Sequence, residues 1–305
     1  MKMEFFYFFC YNTSVYTDFI RKINDSYRKE TKIMPITADQ HLHSHFSGDS
    51  TESMEAIVEA AIQKGLTHIC FTEHMDMGYP VTKDTPEGMF LLNADSYVYD
   101  LIRLRSRYED RIRILLGVEL GLVPEYQKDI TIFARTHEYD FIIGSTHIAN
   151  GRDPYYPDFY EGRTDEEAYR EYFQAELANL KRFDCYDVCG HLDYCVRYGR
   201  EKDKDYCYDK YKDIFDKILS VLLEKGKGLE LNTGSLSRGT KDVSPCREVL
   251  TRYRQMGGDI VTIGSDAHSA ADVAASFDLA AEILKDCGFS YYCIFENRLP
   301  EYRKL

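Results

Sequence analysis

A parallel α/β barrel is the fold this sequence predicts, on three observations. Short apolar runs alternate with helix-like stretches seven times, the chain is 305 residues long, and no low-complexity segment or Pro/Gly/Ser linker divides it. The runs are Ile36–His43, Thr67–His74, Ile112–Glu119, Asp140–His147, Asp187–His191, Gly228–Gly234 and Ile260–Asp266. Each centres on apolar residues such as Ile69-Cys70-Phe71 or Phe141-Ile142-Ile143, as a strand covered on both faces should. Helices are expected near 52–64, 93–108, 125–136, 164–183, 205–226, 242–257 and 270–287. Their caps are Ser50 or Thr51 before the first, Thr164 before Asp165-Glu166-Glu167, and Ser269 before the last. Gly151–Tyr160, with Asp153-Pro154 and Pro157-Asp158, predicts a long loop after the fourth strand. Residues 1–33 fall outside the alternation, so the expected organisation is an N-terminal extension over 1–33 and one barrel over 34–305.

Composition narrows the function. With 44% hydrophobic and 29% charged residues the chain can bury a large core. Thirty-eight Lys and Arg against 51 Asp and Glu give a net charge of −13, the wrong sign for a duplex nucleic-acid binder or a protein of anionic membranes. The aromatic run Phe5–Phe9 is too short to span a bilayer and lacks the basic flank of a secretory signal. Nine scattered cysteines without a CxxC pair predict reduced thiols and a cytoplasmic location.

Histidine placement carries the chemistry. His41, His43, His74, His147 and His191 end expected strands, and His268 follows the seventh by two residues. That end of the strands carries the active site in parallel α/β barrels. His41 and His43 alternate by two, so both face one side and present two imidazoles to one ion. A single histidine ending a strand is ordinarily a hydrogen-bonded core or surface residue. Six at one rim, with Glu119 and Asp266 also closing strands, would leave unpaired polar groups and mutual repulsion unless metals held them. His45, His68 and His137 read as structural. Glu73 points away from its neighbour His74, which suggests packing or support of a ligand, and Asp193 is a candidate for orienting a neighbouring group.

The motifs bearing these residues resemble those of the PHP (polymerase and histidinol phosphatase) family. They are Asp39-Gln-His41-Leu-His43-Ser44-His-Phe46-Ser47-Gly-Asp49, Thr72-Glu73-His74-Met-Asp76, Gly117-Val-Glu119, Gly144-Ser-Thr-His147, Gly190-His191-Leu-Asp193 and Gly264-Ser-Asp266-Ala-His268. Within that family, His191 through Arg197-Tyr198-Gly199, Glu230-Leu-Asn232-Thr233 and the tail Phe295-Glu-Asn-Arg298-Leu-Pro300 resemble the monofunctional histidinol-phosphatases. The resemblance implies a distorted (β/α)7 barrel with three divalent metals (Zn, Fe or Mn) and hydrolysis of a small phosphomonoester, L-histidinol phosphate. By position, one metal takes His41, His43, Glu119 and Asp266. A second shares Glu119 and takes His147 and His191, and a third takes Asp49, His74 and His268. Glu119 and Asp266 would then be catalytic through their metals. Arg197 is the expected phosphate clamp, because guanidinium offers a planar fork to phosphate oxygens, with Arg238 a second candidate. The substrate's ammonium and imidazole need acidic or aromatic partners, which the Tyr-rich 153–160 loop can supply.

Three other readings compete. A relative acting on another monoester or a nucleotide would use the same metals. An amidohydrolase barrel also opens with HxH and closes with Asp, but there the fourth strand commonly ends in a bridging Lys or acid, where this chain has His147. A non-catalytic metal-binding interaction module is the third, against which stands the complete ligand set.

Overall fold

Strands buried along nearly their whole length need cover on both faces, and here they receive it from each other and from a ring of helices. The structure, a computed structural model, describes residues 35–305, so the expectations for residues 1–33 lie outside the described residues. The chain divides into Met1–Met34 and Pro35–Leu305, and the latter holds the fold. Its strands are β1 (Ala38–Leu42), β2 (His68–Phe71), β3 (His74–Met75), β4 (Arg113–Gly121), β5 (Phe141–Ser145), β6 (Val188–Cys189), β7 (Gly228–Asn232) and β8 (Val261–Gly264). They run parallel in the order β1-β2-β4-β5-β6-β7-β8, with β3 pairing β4 beyond the end of β2. The barrel closes where Leu42 bridges Ala267, with Asp266 N–H donating to His41 O and His43 N–H to Ala267 O, each at 2.9 Å.

The helices are α1 (Met54–Gln63), α2 (Ala94–Tyr108), α3 (Gln127–Phe133), α4 (Asp165–Arg182), α5 (Tyr208–Glu224), the four-residue α6 (Gly234–Ser237), α7 (Arg247–Gln255) and α8 (Phe277–Asp286). None of the described helices is long and apolar enough to cross a membrane. Thr164 caps α4 with a full capping box to Glu167, as its sequence predicts. Two other caps differ from expectation. Ser53, not Ser50 or Thr51, accepts from Ala56 N–H at the start of α1. Ser50 is committed elsewhere, its hydroxyl donating to His268 O. The last helix starts at Phe277 behind a left-handed Ser276, seven residues later than Ser269 would place it. Asp39 explains the delay: its carboxylate takes the Ala274 N–H at 2.9 Å, which diverts the backbone from helical pairing.

The expected second strand is broken between Phe71 and His74, and this break distorts the barrel. Thr72 there turns its hydroxyl to the β1 backbone, contacting Leu42 N at 3.2 Å. A terminal antiparallel hairpin, β9 (Tyr291–Glu296) and β10 (Leu299–Lys304), is an element the sequence reading lacks. Its turn residues Asn297 and Arg298 adopt positive φ. Their backbone N–H groups donate to Asp140 at 3.2 and 2.8 Å, and the Arg298 guanidinium donates to Asp187 and to Cys185 O. The family-like tail thus plugs the bottom of the barrel, opposite the histidines.

Candidate metal centre

The sheet brings all nine expected ligands to one end. His41 is in β1 and His43 just beyond it; Asp49 sits on the following loop, His74 opens β3, and Glu119 is within β4. His147 and His191 each lie two residues past β5 and β6, and Asp266 and His268 follow β8. Asp266 holds φ at +55°, a left-handed conformation costly for any residue but glycine, so the surrounding contacts must enforce it.

Glu119 is the hub. Its Oε1 lies 2.7 Å from His191 Nε2 and 3.3 Å from His147 Nε2, and accepts from Ser145 Oγ at 2.7 Å. Its Oε2 lies 3.3 Å from His41 Nε2, 3.5 Å from His43 Nε2 and 3.0 Å from His74 Nδ1. Asp266 Oδ1 stands 3.8 and 3.6 Å from the same His41 and His43 nitrogens. Asp49 Oδ2 faces His268 Nε2 at 3.1 Å and His74 Nε2 at 3.6 Å. The donor groupings are His41–His43–Glu119, His74–Glu119–His147 and His43–His74–His268, each within a span one ion can bridge. His74 therefore stands between two groupings, beside Glu119 through Nδ1 and beside Asp49 through Nε2, a sharing the residue types alone do not reveal.

Supporting contacts set which imidazole nitrogen carries the proton. His41 Nδ1 donates to Glu230 Oε1 at 2.6 Å, His147 Nδ1 to Asp76 Oδ1 at 2.7 Å, and His268 Nδ1 to Asp266 O at 3.0 Å. Carboxylate and carbonyl oxygens only accept, so Nδ1 carries a proton in each ring and Nε2 is the nitrogen left to ligate a metal. Asp76 and Glu230 stand in the family-like motifs, but sequence alone assigned neither a role. Asp76 shares a strand face with His74, and Glu230 interrupts the otherwise apolar Gly228–Leu231 stretch; those were the available signals. Glu73 supports the site rather than binding in it, accepting from both Ser44 and Ser47 hydroxyls at 2.6 Å. Asp193 holds Ser244, Tyr206 and the Cys246 N–H. His45 is exposed against Phe46, His68 borders Thr67, and His137 lies 3.5 Å from Asp95, all away from the cluster.

The electrostatics fit a cation. Burial opposes ionisation of Glu119, but His41, His147, His191 and His74 outweigh it and hold the carboxyl well below its ordinary range. Burial opposes the charge of Asp266 too, and Arg238, His41 and Arg197 overcome it. His43 is pushed well down by burial and by the imidazoles of His74, His268 and His41, so it stays neutral and free to ligate. Buried His41 Nε2, His43 Nε2, His74 Nδ1, Glu119 Oε2, His191 Nδ1 and His268 Nε2 make no hydrogen bond. An interior does not leave so many polar atoms converging unbonded without a ligand for them, and divalent ions fit this mixed imidazole and carboxylate set.

Above the cluster opens a cavity of about 490 Å³. Arg197 and Arg238 are among its lining, with Asp153 and a group of tyrosines that includes Tyr79 and Tyr194. Arg197 is buried, with Nε on Ser235 at 2.8 Å, Nη2 on Asn232 at 2.7 Å and Nη1 on Asp266 at 2.8 Å. Arg238 is more open, donating to Gly234 O and standing 3.6 Å from Asp266. Asp153, buried, accepts from the Tyr79 and Tyr194 hydroxyls.

Comparison with known proteins places this geometry in a family. The PHP domain model matches residues 39–234. The histidinol-phosphatase of Lactococcus lactis subsp. lactis is 36% identical over 85% of this chain and 94% of its own length. A probable histidinol-phosphatase of Clostridium acetobutylicum is 33% identical over 87% and 98%. The crystal structure of the L. lactis histidinol phosphate phosphatase, complexed with zinc, L-histidinol and phosphate, superposes with a TM-score of 0.78 at 33% identity, covering 87% of this chain and 98% of that one. With the barrel, the histidine-rich rim and these similarities in agreement, the chain belongs to the PHP domain family.

Proposed function

We propose that this protein hydrolyses phosphomonoesters and that L-histidinol phosphate is its substrate, releasing L-histidinol and phosphate. One observation carries the reading: buried, unbonded imidazole and carboxylate atoms converge on the floor of a cavity whose wall presents two guanidinium groups. The zinc, L-histidinol and phosphate of the similar L. lactis enzyme support the substrate choice. His41, His43, Glu119 and Asp266 would hold one divalent ion, Glu119, His147 and His191 a second, and Asp49, His74 and His268 a third, with Zn, Fe or Mn suited to the donors. Bound there, the ions supply a hydroxide equivalent near neutral pH and charge stabilisation for the phosphoryl group and leaving oxygen.

The chain's own residues do the rest. Arg197 lines the cavity beside Asp266 and keeps two N–H groups beyond its three hydrogen bonds, which a phosphate oxygen could accept. Arg238, partly exposed and lining the same cavity, adds a second positive charge. Glu230, Asp76 and Ser47 hold His41, His147 and His43 in their ligating orientations. Asp153 with its tyrosines offers the anionic and aromatic surface that an ammonium and an imidazole need. The eight described cysteines are free thiols, which supports a reducing, cytoplasm-like location. The test is phosphate release from L-histidinol phosphate beside a panel of sugar phosphates and nucleotides, with and without chelator. Hydrolysis of another panel member in preference would replace the substrate, and full turnover by metal-free protein would end the reading.

A further inference from the structure

The hydroxyl of Ser47 has three neighbours and no spare valence. It donates to Glu73 Oε2 at 2.6 Å, and it faces His43 Nδ1 at 2.9 Å and the His74 backbone N–H at 3.1 Å. Glu73 is fully buried and also takes the Ser44 N–H and hydroxyl, so every partner around that carboxylate donates to it. The Ser47 proton must therefore point at Glu73, leaving its two lone pairs to accept from His43 Nδ1–H and His74 N–H. His41, His147 and His268 hold Nδ1 against an oxygen that can only accept. His43 instead meets a hydroxyl, which would suit either tautomer unless Glu73 fixed its direction.

The two histidines joined through Ser47 are themselves stacked, with ring centroids 4.2 Å apart and planes inclined by 25°. They share one donor grouping with His268, and each also belongs to a second: His43 with His41 and Glu119, His74 with Glu119 and His147. The loop carrying Ser47 is clamped, because a Cβ on the adjacent Gly48 would stand 2.1 Å from Met89 O. We propose that Ser47 is a positioning residue which, driven by Glu73, orients His43 and His74 together and so couples two metal positions of the centre. This rests on the metal centre of the proposed function and is independent of the substrate.

The experiment is zinc titration of metal-free protein against a competing chelator, for wild type, Ser47→Ala and Ser47→Thr, with thermal melting to verify folding. Ser47→Ala should bind zinc roughly 10–100-fold more weakly, the usual loss when a partner of a ligating histidine is removed. More than one ion equivalent should be affected, and Ser47→Thr should recover binding to within about threefold. In metal-free wild type, nitrogen-15 NMR of His43 should show the Nδ1–H tautomer, a measurement that needs no variant to fold. A folded Ser47→Ala with wild-type zinc affinity and stoichiometry, or His43 protonated on Nε2 instead, would overturn the inference alone. Wild-type protein that takes up no zinc would overturn it together with the metal-dependent function.

Discussion

The guanidinium of Arg197 and the carboxylate of Asp266 form a buried pair at 2.8 Å, with both side chains almost wholly removed from solvent. One residue is an expected phosphate clamp and the other an expected metal ligand, so the pair links the two halves of the site. Arg197→Ala should cost about 2–4 kcal/mol of transition-state stabilisation, in the range for losing a charged donor in a closed site. Because Asp266 keeps its carboxylate and loses only a competing cation, metal content should stay near normal. The checks are kcat/KM on a phosphomonoester and metal content after dialysis; unchanged efficiency would return Arg197 to a structural role.

Glu119→Gln should be the most damaging single change in the rim. The carboxylate lies within 3.5 Å of five imidazoles, and an amide cannot balance their charge or bridge two ions. Elemental analysis should find depleted metal and assays only residual phosphate release. Full metal occupancy in the variant would remove Glu119 from its bridging place.

Glu176 makes stability depend on pH. Burial between α4 and the barrel pushes its carboxyl up from 4.5 to about 7, against the weaker opposing effect of Cys189. Since the folded value exceeds the unfolded one, this group's contribution is fully present below pH ~4.5 and is lost as pH rises through ~7. A shift of that size corresponds to roughly 3 kcal/mol. Glu176→Gln keeps the neutral form at every pH, so its melting temperature relative to wild type should climb between pH 5 and 8. Parallel melting profiles for the two proteins would contradict this.

Residues 1–33 should be dispensable for chemistry, because the first expected ligand is His41 and its strand starts at Ala38. A chain beginning at Met34 should fold, bind metal and turn over substrate at close to the full-length rate. A folded, metal-loaded truncation without activity would show that the extension completes the site. Melting and kinetics must be measured separately, since stability and turnover can change independently.

The strands and the gathering of the expected ligands at one rim were legible because their signals are local: apolar runs such as Phe141-Ile142-Ile143, and histidines placed at the ends of those runs. The supports were less so. Glu230 reaches His41 across 189 positions and Asp76 reaches His147 across 71, and no spacing rule connects such partners. The late start of α8 was hidden for the same reason, since the Asp39 carboxylate that claims Ala274 N–H lies 235 positions earlier. The terminal hairpin carries alternating residues, but its value as a plug depends on Asp140 and Asp187, which are polar groups at strand starts that sequence cannot orient. The sharing of His74 between donor groupings follows from ring orientation, which only coordinates reveal.

The seam between β1 and β8 makes the centre a lock on the chain's topology. Asp39 takes Ser265 N–H and hydroxyl at 3.0 and 2.5 Å across 226 positions, and the two backbone bonds nearby finish the join. Contacts so distant in sequence form late and pay the largest loop-closure entropy. An ion gripped by His41 and His43 on one side and Asp266 on the other would act as a rivet through that join. Metal uptake would then add to the stability of barrel closure. Stripping the ions should first quicken hydrogen exchange at the amides of His43 and Asp266, before the opposite side of the barrel loosens.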